Sequence, residues 1–444
     1  MSQHALTLSR RDVLRAAAAV AAAGTLGACG KNNDDAGGGP DGVVSVDLWH
    51  GQVDTGKAAI DALINEFNKS HPNIKVVGGG GGVTADSMLQ KVTAGLAAGS
   101  YPDVAYIFGS DLASLTKSPK VADLTGALKI DDYWPAAKDA VSVKGKVRAA
   151  PALLDSLCVV YNKKLFAAAG VPAPQAGWTW DDFVTTAKAL TNPGKGIFGT
   201  GWPGVGDEDT VWRIWPMIWD LGGDVVSDRG GGAGKESGTA GKKVGFDQVG
   251  EQALGTLDRL RSEKSLYVDP KPGSEQLYQV FLGGRMAMVA TGPWQLPELI
   301  DNHLDYGVVP LPSYSGKPVT ISGPDTWTVF DNGKAKVQAA TEFVKWMADP
   351  AQDIQWDMEG GSLPITKATA ELPQWKKHST ETNGLDVFVK ALDSAKVRPT
   401  ITTYPQISQN LGQAIAAVLL GKQSPGDAIK QAVDQCNQVL AVPN

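Results

Sequence analysis

The fold is decided by residues 43–108, which begin with the apolar run VVSVDLW and end with PDVAYIF. Three runs have the composition of strands, at Val43–Trp49, Ile74–Val77 and Pro102–Phe108. Between the first two, apolar residues recur at helical spacing, namely at Ile60, Leu63, Ile64 and Phe67. Met88–Ala98 has helical character as well. The order strand, helix, strand, helix, strand predicts a parallel α/β domain that binds ligands at the carboxyl ends of its strands.

The first thirty residues have the features of a bacterial secretion signal. A charged leader, Ser9–Leu14, precedes an alanine-rich apolar stretch that ends in Leu26-Gly27-Ala28-Cys29. The small residues before a cleavage point fit such a signal, and the paired arginines match its twin-arginine type. The last four residues resemble the lipobox of bacterial lipoproteins. They predict a signal peptide at 1–29 and a lipidated Cys29 that anchors the protein to the outer face of the cell membrane. A cleaved signal with an incidental cysteine is the alternative.

Composition narrows the function of the rest of the chain. Residues 30–42 are rich in glycine and polar residues, which predicts a flexible tether. The remaining length suits two domains, and no further run is long and apolar enough to cross a membrane. A net charge of −6 without a basic stripe disfavours nucleic acid as a partner. The chain has 13 Trp but only 5 His, and tryptophan faces stack on the C–H faces of sugar rings.

Two cysteines remain besides the predicted anchor. Cys158 and Cys436 each lie in an apolar run. Two cysteines are too few for a disulfide scaffold. A single bridge between them stays open, although base rates favour two buried free thiols.

No motif in the sequence assembles a catalytic or metal site. Gly78–Gly82 lacks the Lys-Ser/Thr of a phosphate loop and is expected to be a loose loop. There is no His-Glu-x-x-His, no Gly-x-Ser-x-Gly and no Cys/His cluster. The acidic pairs Asp131-Asp132 and Asp181-Asp182 are expected to begin helices. The sequence therefore predicts a protein that is not an enzyme and uses neither cofactor nor metal.

A longer motif carries a family resemblance. Val280–Trp294 (VFLGGRMAMVATGPW) matches F-x-x-G-x-x-A-M-x-x-x-G-x-W, the signature of family 1 extracellular solute-binding proteins, the sugar-binding subunits of ABC importers. Further pieces of the family pattern follow the same order along the chain: Tyr101–Val104, Val160–Leu165, Trp178–Phe183, Trp215–Met217, Gly222-Gly223, Gly307–Pro312, Leu363-Pro364 and the stretch from Pro405 to Ala432. The chain resembles both the maltose-binding and the glycerophosphate-binding branches of this family.

The resemblance implies a periplasmic-binding-protein-like fold of two α/β lobes that are joined by a multi-crossing hinge, with the ligand cleft between them. The expected N-terminal lobe comprises 43–152 and 326–360, and the C-terminal lobe comprises 153–325 and 361–444. The crossings are expected near Ala150–Ala152, Gly323–Asp325 and Gly360–Pro364. Closure of the lobes on a ligand creates the form that the importer recognises. The implied partners are the transmembrane permease subunits and their cytoplasmic ATPase, and the protein is expected to be a monomer.

The same resemblance assigns four principal ligand contacts. Trp294 stands where the maltose-binding branch stacks an aromatic ring on a sugar, and Asp155 stands where the family has an acidic sugar contact. Trp212 corresponds to an aromatic contact ahead of the Trp-Pro pair. Arg398 resembles the arginine that closes over ligands in the glycerophosphate-binding branch. The alternatives are core packing for Trp294, backbone capping for Asp155 and a surface position for Arg398.

The other predicted contacts follow strands or lie near the second crossing: Trp49, His50, Gln52, Asp54, Ser110, Asp111, Gly323, Asp325 and Trp327. The remaining tryptophans of the family motifs are expected to pack in the core: Trp178, Trp180, Trp215 and Trp219.

Departures from the two branches limit the identity of the ligand. Gln409–Gly412 stand where the maltose-binding branch has aromatic residues, and Ser362 replaces an aromatic of the glycerophosphate-binding branch. Arg398 is the one credible partner for an anion, so a neutral mono- or oligosaccharide is favoured. A glycerophosphodiester or another charged solute is the alternative ligand. A lipid-anchored carbohydrate-active hydrolase is the alternative from another class, and it would need two carboxylates roughly 5 to 10 Å apart.

Overall fold

The computed structural model describes residues 42–79, 81–227 and 243–442. The predicted signal peptide at 1–29, its lipidated Cys29 and all but the last residue of the predicted tether lie outside this range. None of the helices in the described range is both long enough and apolar enough to cross a membrane.

The first part of the chain alternates strands and helices as the sequence predicts. Its elements are β1 Val44–Trp49, α1 Asp54–Ser70, β2 Ile74–Gly79, α2 Met88–Ala98, β3 Val104–Phe108, α3 Gly109–Leu115, α4 Pro135–Val141, β4 Ser142–Val143, β5 Lys146–Val147 and β6 Ala150–Leu153. The apolar face predicted for α1 is buried. The three strands and two helices expected between residues 43 and 108 are therefore confirmed.

The glycine run after Val77 differs from its prediction. Gly78 and Gly79 do not belong to a loop, because they extend β2 and pair with Leu48 and Trp49 of β1. A Cβ atom on Gly78 would lie 2.3 Å from Cδ1 of Ile64 in α1. The helix therefore packs close to the strand at this position, and a larger residue there would require the end of the Ile64 side chain to move.

The middle of the chain forms a second set of elements: β7 Cys158–Asn162, α5 Lys163–Ala169, α6 Trp180–Leu190, β8 Thr200–Pro203, α7 Glu208–Trp212, α8 Trp215–Asp220, β9 Asp224–Val226, β10 Val244–Gly245, α9 Gly250–Ser262, β11 Leu266–Asp269, α10 Glu275–Leu282, β12 Met288–Thr291, α11 Leu296–Asp301, β13 Tyr306–Pro310 and β14 Thr320–Ile321. Strand β7 lies between β12 and β13 and runs antiparallel to both. Strands β8 and β11 pair in parallel.

The last part of the chain begins with a strand and is otherwise mostly helical: β15 Asp325–Val329, α12 Lys334–Met347, α13 Pro350–Gly360, α14 Lys367–Ala370, α15 Pro373–Glu381, α16 Leu385–Ala391, β16 Ala395–Lys396, α17 Tyr404–Leu419 and α18 Pro425–Ala441. Each of the two final helices buries an apolar face. The Ser424 side chain accepts the backbone N–H of Asp427 and caps α18.

Strand β15 returns to the first sheet, whose order is β2-β1-β3-β15-β6. It runs antiparallel to β3 and to β6, whereas β2, β1 and β3 are parallel. The chain thus leaves the first sheet after β6 and re-enters it at β15, and Leu363 forms an isolated bridge with Leu154, the residue that follows β6. These residues lie near the expected positions of the three crossings, which stay a prediction.

The first sheet and the elements around β7 have separate apolar cores. One cluster covers the first sheet and includes Trp327 and Trp356, and the largest cluster packs the helices around β7. A third cluster joins Tyr133 and Ile354 to Cys158 and other residues of the middle part. Because this cluster spans both regions, the lobe boundaries at 152/153, 325/326 and 360/361 stay a prediction.

Several smaller expectations can be checked in the same elements. The four tryptophans assigned to the core are all buried: Trp178, Trp180, Trp215 and Trp219. Cys158 and Cys436 are free and buried, as base rates favoured. Asp182 forms a capping box with Thr179 at the start of α6, as expected. Asp131-Asp132 do not begin a helix, because they lie in a turn and α4 starts only at Pro135, whose fixed φ suits a first helical position.

Candidate functional site

A cavity of about 260 Å³ lies between the first sheet and the helices of the middle part. Eight of the predicted contacts line it: Gln52, Asp54, Asp155, Trp212, Trp294, Gly323, Asp325 and Arg398. Residues that the sequence analysis did not predict as contacts line it too, among them Tyr106, Glu208, Asp209, Glu275, Tyr278, Glu298, Trp356 and Ser362. Convergent polar and aromatic groups in a concave space are typical of a binding site for a small molecule.

A wider depression of about 630 Å³ lies elsewhere, beside α9 and the start of α18. It includes exposed residues such as Asp181 and Arg259, whose side chains are 79% and 50% exposed. None of the predicted contacts lines it. The cavity is therefore the stronger candidate.

The floor of the cavity is formed by Asp155, Gly323 and Asp325. The backbone N–H of Gly323 donates to Oδ1 of Asp155 at 2.5 Å. A Cβ atom on Gly323 would lie 3.0 Å from Nε1 of Trp212, 3.1 Å from Nη2 of Arg398 and 3.2 Å from Oδ2 of Asp155. An indole donor, a guanidinium and a carboxylate thus converge on a residue without a side chain, and a ligand can approach the floor closely there.

Arg398 lies at this convergence, but its charge is already neutralised. Its Nη1 donates to Oε1 of Glu208 at 2.5 Å, and only 4% and 12% of the two side chains are exposed. Tyr404 and Ser408 donate further hydrogen bonds to Glu208. Burial acts to lower the pKa of Arg398, but Glu208 holds that pKa above its usual value. Arg398 thus lines the cavity as one half of a buried ion pair.

Carboxyl groups of the floor are buried without a cation in direct contact. Burial raises the pKa of Asp155 to about 7, although Gly323 and Arg398 act to lower it. Burial and the neighbouring Asp155 raise the pKa of Asp325 far above its ordinary value. Oδ2 of Asp325 accepts the Tyr106 hydroxyl at 2.5 Å, whereas Oδ1 is buried without a partner. This oxygen is an acceptor that a ligand can satisfy.

An aromatic wall formed by Trp212, Tyr278 and Trp294 borders the floor. The Trp212 and Trp294 ring centroids lie 5.6 Å apart at 54°, and Nε1 of Trp294 donates to the Tyr278 hydroxyl at 3.4 Å. A Cβ atom on Gly292 would lie 1.9 Å from Cζ3 of Trp294. The Gly-Pro-Trp motif therefore has a steric basis, because the indole folds back over the bare glycine.

Two predicted tryptophans do not reach the cavity wall. The Nε1–H of Trp49 donates a hydrogen bond to the Asp47 carboxylate, and the Lys91 ammonium lies 5.2 Å from the centroid of the Trp49 ring. Trp327 is 1% exposed and packs edge-on against Tyr106 and Trp356. Its position in the core differs from the expected cleft contact, because Trp356 covers it.

Three predicted polar residues are buried and do not line the cavity. His50 is fully buried, and its Nδ1 accepts the backbone N–H of Gln52. Burial lowers its pKa to about 4, so the imidazole is neutral at pH 7. Ser110 and Asp111 are buried in the first turn of α3. Burial, and then Glu208, raise the pKa of Asp111 to about 8. Asp111 is therefore a buried carboxyl group near Glu208 that does not line the cavity.

Among the described residues, no group of three or more His, Cys, Asp or Glu residues could hold a metal ion.

Residues 51–354 match the family model for bacterial extracellular solute-binding proteins. The chain belongs to this family. The resemblance that the sequence motifs indicated is thereby confirmed, and the functional class is that of a solute-binding protein.

Individual relatives of this solute-binding protein differ in their ligands. The sn-glycerol-3-phosphate-binding periplasmic protein UgpB of Salmonella typhimurium is 24% identical, over 90% of this chain and 93% of the relative. The GacH receptor of Streptomyces glaucescens, solved unliganded and with acarbose, is 25% identical, with a TM-score of 0.77 over 89% of this chain and 98% of the receptor. A solute-binding protein of an ABC transporter from Thermotoga lettingae, bound to α-D-tagatose, has a TM-score of 0.77 at 23% identity, with 89% of this chain and 99% of that chain covered. The predicted fold of two α/β lobes around a cleft is therefore confirmed.

Proposed function

We propose that this solute-binding protein captures a carbohydrate in the cavity and delivers it to the permease of an ABC importer. The observation that carries the proposal is the aromatic wall of Trp212, Tyr278 and Trp294 beside a floor of carboxyl groups. Indole faces pack on the C–H faces of a sugar ring, while carboxyl oxygens accept its hydroxyl groups with charge-assisted strength. The cavity of about 260 Å³ lies just below the usual range for drug-sized ligands, which favours a small sugar.

The charges of the cavity disfavour a phosphorylated ligand. Among the described lining residues, Arg398 is the only lysine or arginine, and Glu208 already neutralises it. A phosphate would also approach the carboxyl groups of Asp155 and Asp325, where like charges repel. For this reason we favour a carbohydrate without phosphate over the glycerol 3-phosphate that names the Salmonella relative.

The proposal includes transport without catalysis. Ligand contacts to both walls of the cavity would stabilise the closed arrangement of the lobes, which is the form that a permease can distinguish from the empty protein. The family is one of binding proteins, which supports a ligand that leaves the cleft chemically unchanged. The permease and its ATPase are the proposed partners, and a lipidated Cys29 is the proposed membrane anchor.

A ligand screen tests the carbohydrate. The melting temperature of the purified full-length protein should rise when at least one mono- or disaccharide is added, because a ligand that binds only the folded state stabilises that state. At a concentration of one hundred times Kd the rise should be on the order of 5 °C. Chromatography of the recovered sugar should show no chemical change. Stabilisation by glycerophosphodiesters and by no sugar, or turnover that survives repurification, would contradict the proposal.

Substitution of the predicted anchor tests the location. Cys29→Ala should move the protein from the membrane fraction to the soluble extracytoplasmic fraction, because the lipid is attached to that thiol. Cys158→Ala is the matched control, since its thiol is buried and free, and this variant should stay in the membrane fraction. Retention of the Cys29 variant in the membrane, with no lipid on the mature N-terminus, would defeat the lipoprotein assignment.

A further inference from the structure

The lining of the cavity contains many more carboxyl groups than cationic groups. Its carboxylate residues are Asp54, Asp155, Glu208, Asp209, Glu275, Glu298 and Asp325. Glu208 pairs with Arg398, and Asp209 pairs with Arg213 behind the wall. Within the described part of the chain, no lysine or arginine forms an ion pair with the other five. A cavity lined by one sign of charge concentrates ligands of the opposite sign.

Among the residues that the structure describes, Asp325 lacks both a hydrogen-bond donor for one of its oxygens and a cation that pairs with it. The residue is only 7% exposed, and its Oδ1 has no hydrogen-bond partner although the residue lines the cavity. A buried carboxylate needs both a hydrogen-bond donor and a compensating charge. A sugar hydroxyl would supply the donor alone, whereas an ammonium group would supply both.

A second pair of acids faces the cavity from opposite sides. Asp54 begins α1 beside the first sheet, and Glu298 lies in α11 beside β12. Their carboxyl groups are close enough to interact across the cavity. Burial, and also this contact with Asp54, raise the pKa of Glu298. A cation bound between these two carboxyl groups would offset the repulsion between them.

We infer that the ligand of this cavity carries a positively charged nitrogen, which the unpaired carboxylates of the floor bind and by which the site selects its ligand. The inference rests on the proposed function and narrows the carbohydrate to an amino sugar. The face of Trp294 adds a surface on which a cation is attracted electrostatically. A neutral sugar would leave the acidic excess unbalanced, and an anion would increase the repulsion.

The carboxyl groups can ionise when such a ligand arrives. Burial raises the pKa of Asp155 to about 7, so little free energy separates its two protonation states at neutral pH. A nearby positive charge lowers the pKa of a carboxyl group. Binding of an amino sugar should therefore release protons to the buffer, whereas binding of a neutral sugar should release none.

Titration calorimetry of the full-length protein at pH 7 can compare ligands that differ only in charge. The probes are glucose, galactose and mannose, their 2-amino, 2-acetamido and 6-phosphate forms, and the disaccharide of glucosamine with its N-acetylated counterpart. For at least one ring configuration, the amino form should bind at least tenfold more tightly than both neutral forms. Repetition in buffers of different ionisation enthalpy should reveal proton release with the amino sugar alone.

Single substitutions test which carboxyl groups cause the preference for the amino form of the sugar. Asp325→Asn keeps an oxygen that can accept the Tyr106 hydroxyl but removes the charge, so the preference for the amino form should fall at least threefold. Asp155→Asn tests the other floor carboxyl in the same way. Asp434→Asn removes the same charge from an exposed position of α18 and should leave the preference unchanged.

The outcomes separate this inference from the proposed function. Equal or tighter binding of the neutral forms overturns the inference and leaves the carbohydrate function intact. Tightest binding of a 6-phosphate overturns both, and so does the absence of binding by every sugar. Glycerophosphocholine, added as a further probe, carries an ammonium group on a phosphodiester. If it alone binds, the positive nitrogen is retained but the carbohydrate is wrong. An unchanged preference in both floor variants overturns the assignment to the floor.

Discussion

Arg398→Met should lower the free energy of unfolding by about 3 to 5 kcal/mol. The substitution leaves Glu208 buried without its cation, and the neighbouring carboxyl groups of Asp111 and Asp325 supply no positive charge in its place. Methionine fills much of the volume of arginine, so the loss reflects charge more than packing. Chemical denaturation of the ligand-free protein at pH 7 measures the effect.

The double variant Arg398→Met/Glu208→Gln is the matched control. It removes both charges, so we expect it to recover at least half of the stability that the single variant loses, because no unpaired charge stays buried. Arg261→Met provides a surface comparison. Its guanidinium pairs with Asp258 at 2.7 Å, but the two side chains are 37% and 30% exposed, and the expected change is below about 1 kcal/mol. If Arg398→Met also lowers the free energy of unfolding by less than about 1 kcal/mol, the interpretation of Arg398 and Glu208 as a stabilising buried ion pair is wrong.

Local patterns in the sequence predicted the fold because they depend on near neighbours. The strands that begin at Val44, Ile74 and Val104 follow from apolar composition, and α1 follows from helical spacing. The family motif added the return of the chain at Asp325. The extension of β2 through Gly78 was missed, since it depends on Ile64 of a packed helix rather than on glycine's own preference.

The site was only partly predictable because its polar pairs join distant segments. The partner of Arg398 is Glu208, which is 190 positions away and looks like an ordinary acidic residue in the first turn of a helix. Without that pair, Arg398 appears to be a free anion-binding group. Tyr278 was missed for a similar reason: it lies in a helix of apolar character and reaches Trp294 only after folding.

Trp327 illustrates the limit of periodicity. It lies two residues after Asp325 in β15, so both side chains point to the same face of the sheet. Asp325 borders the cavity, but Trp327 is deeper and is covered by Trp356, with ring centroids 6.3 Å apart. Alternation gives the face of a strand, and only tertiary packing decides which part of that face is open.

Trp294 and Trp327 should therefore respond oppositely to truncation. Trp294→Ala removes the ring from the cavity wall, and affinity for the sugar found in the screen should fall by on the order of 1 to 3 kcal/mol, about fivefold to 150-fold. Its melting temperature should fall less, because the ring is only partly buried. Trp327→Ala empties a fully packed position and should cost about 3 to 5 kcal/mol of stability, with affinity per folded molecule nearly unchanged.

A third variant tests whether ligand affinity depends on where the Trp294 ring lies, and not only on whether the ring is present. Gly292→Ala keeps Trp294 but places a Cβ atom where the ring now lies, 1.9 Å from its Cζ3, so the indole must move. Affinity should fall toward that of Trp294→Ala, while fluorescence of the folded protein should report the displaced ring. Calorimetry and melting curves on the three variants give the comparison. If Trp294→Ala destabilises the protein strongly and leaves affinity intact, Trp294 is a core residue, and the aromatic wall cannot be the surface that holds the sugar.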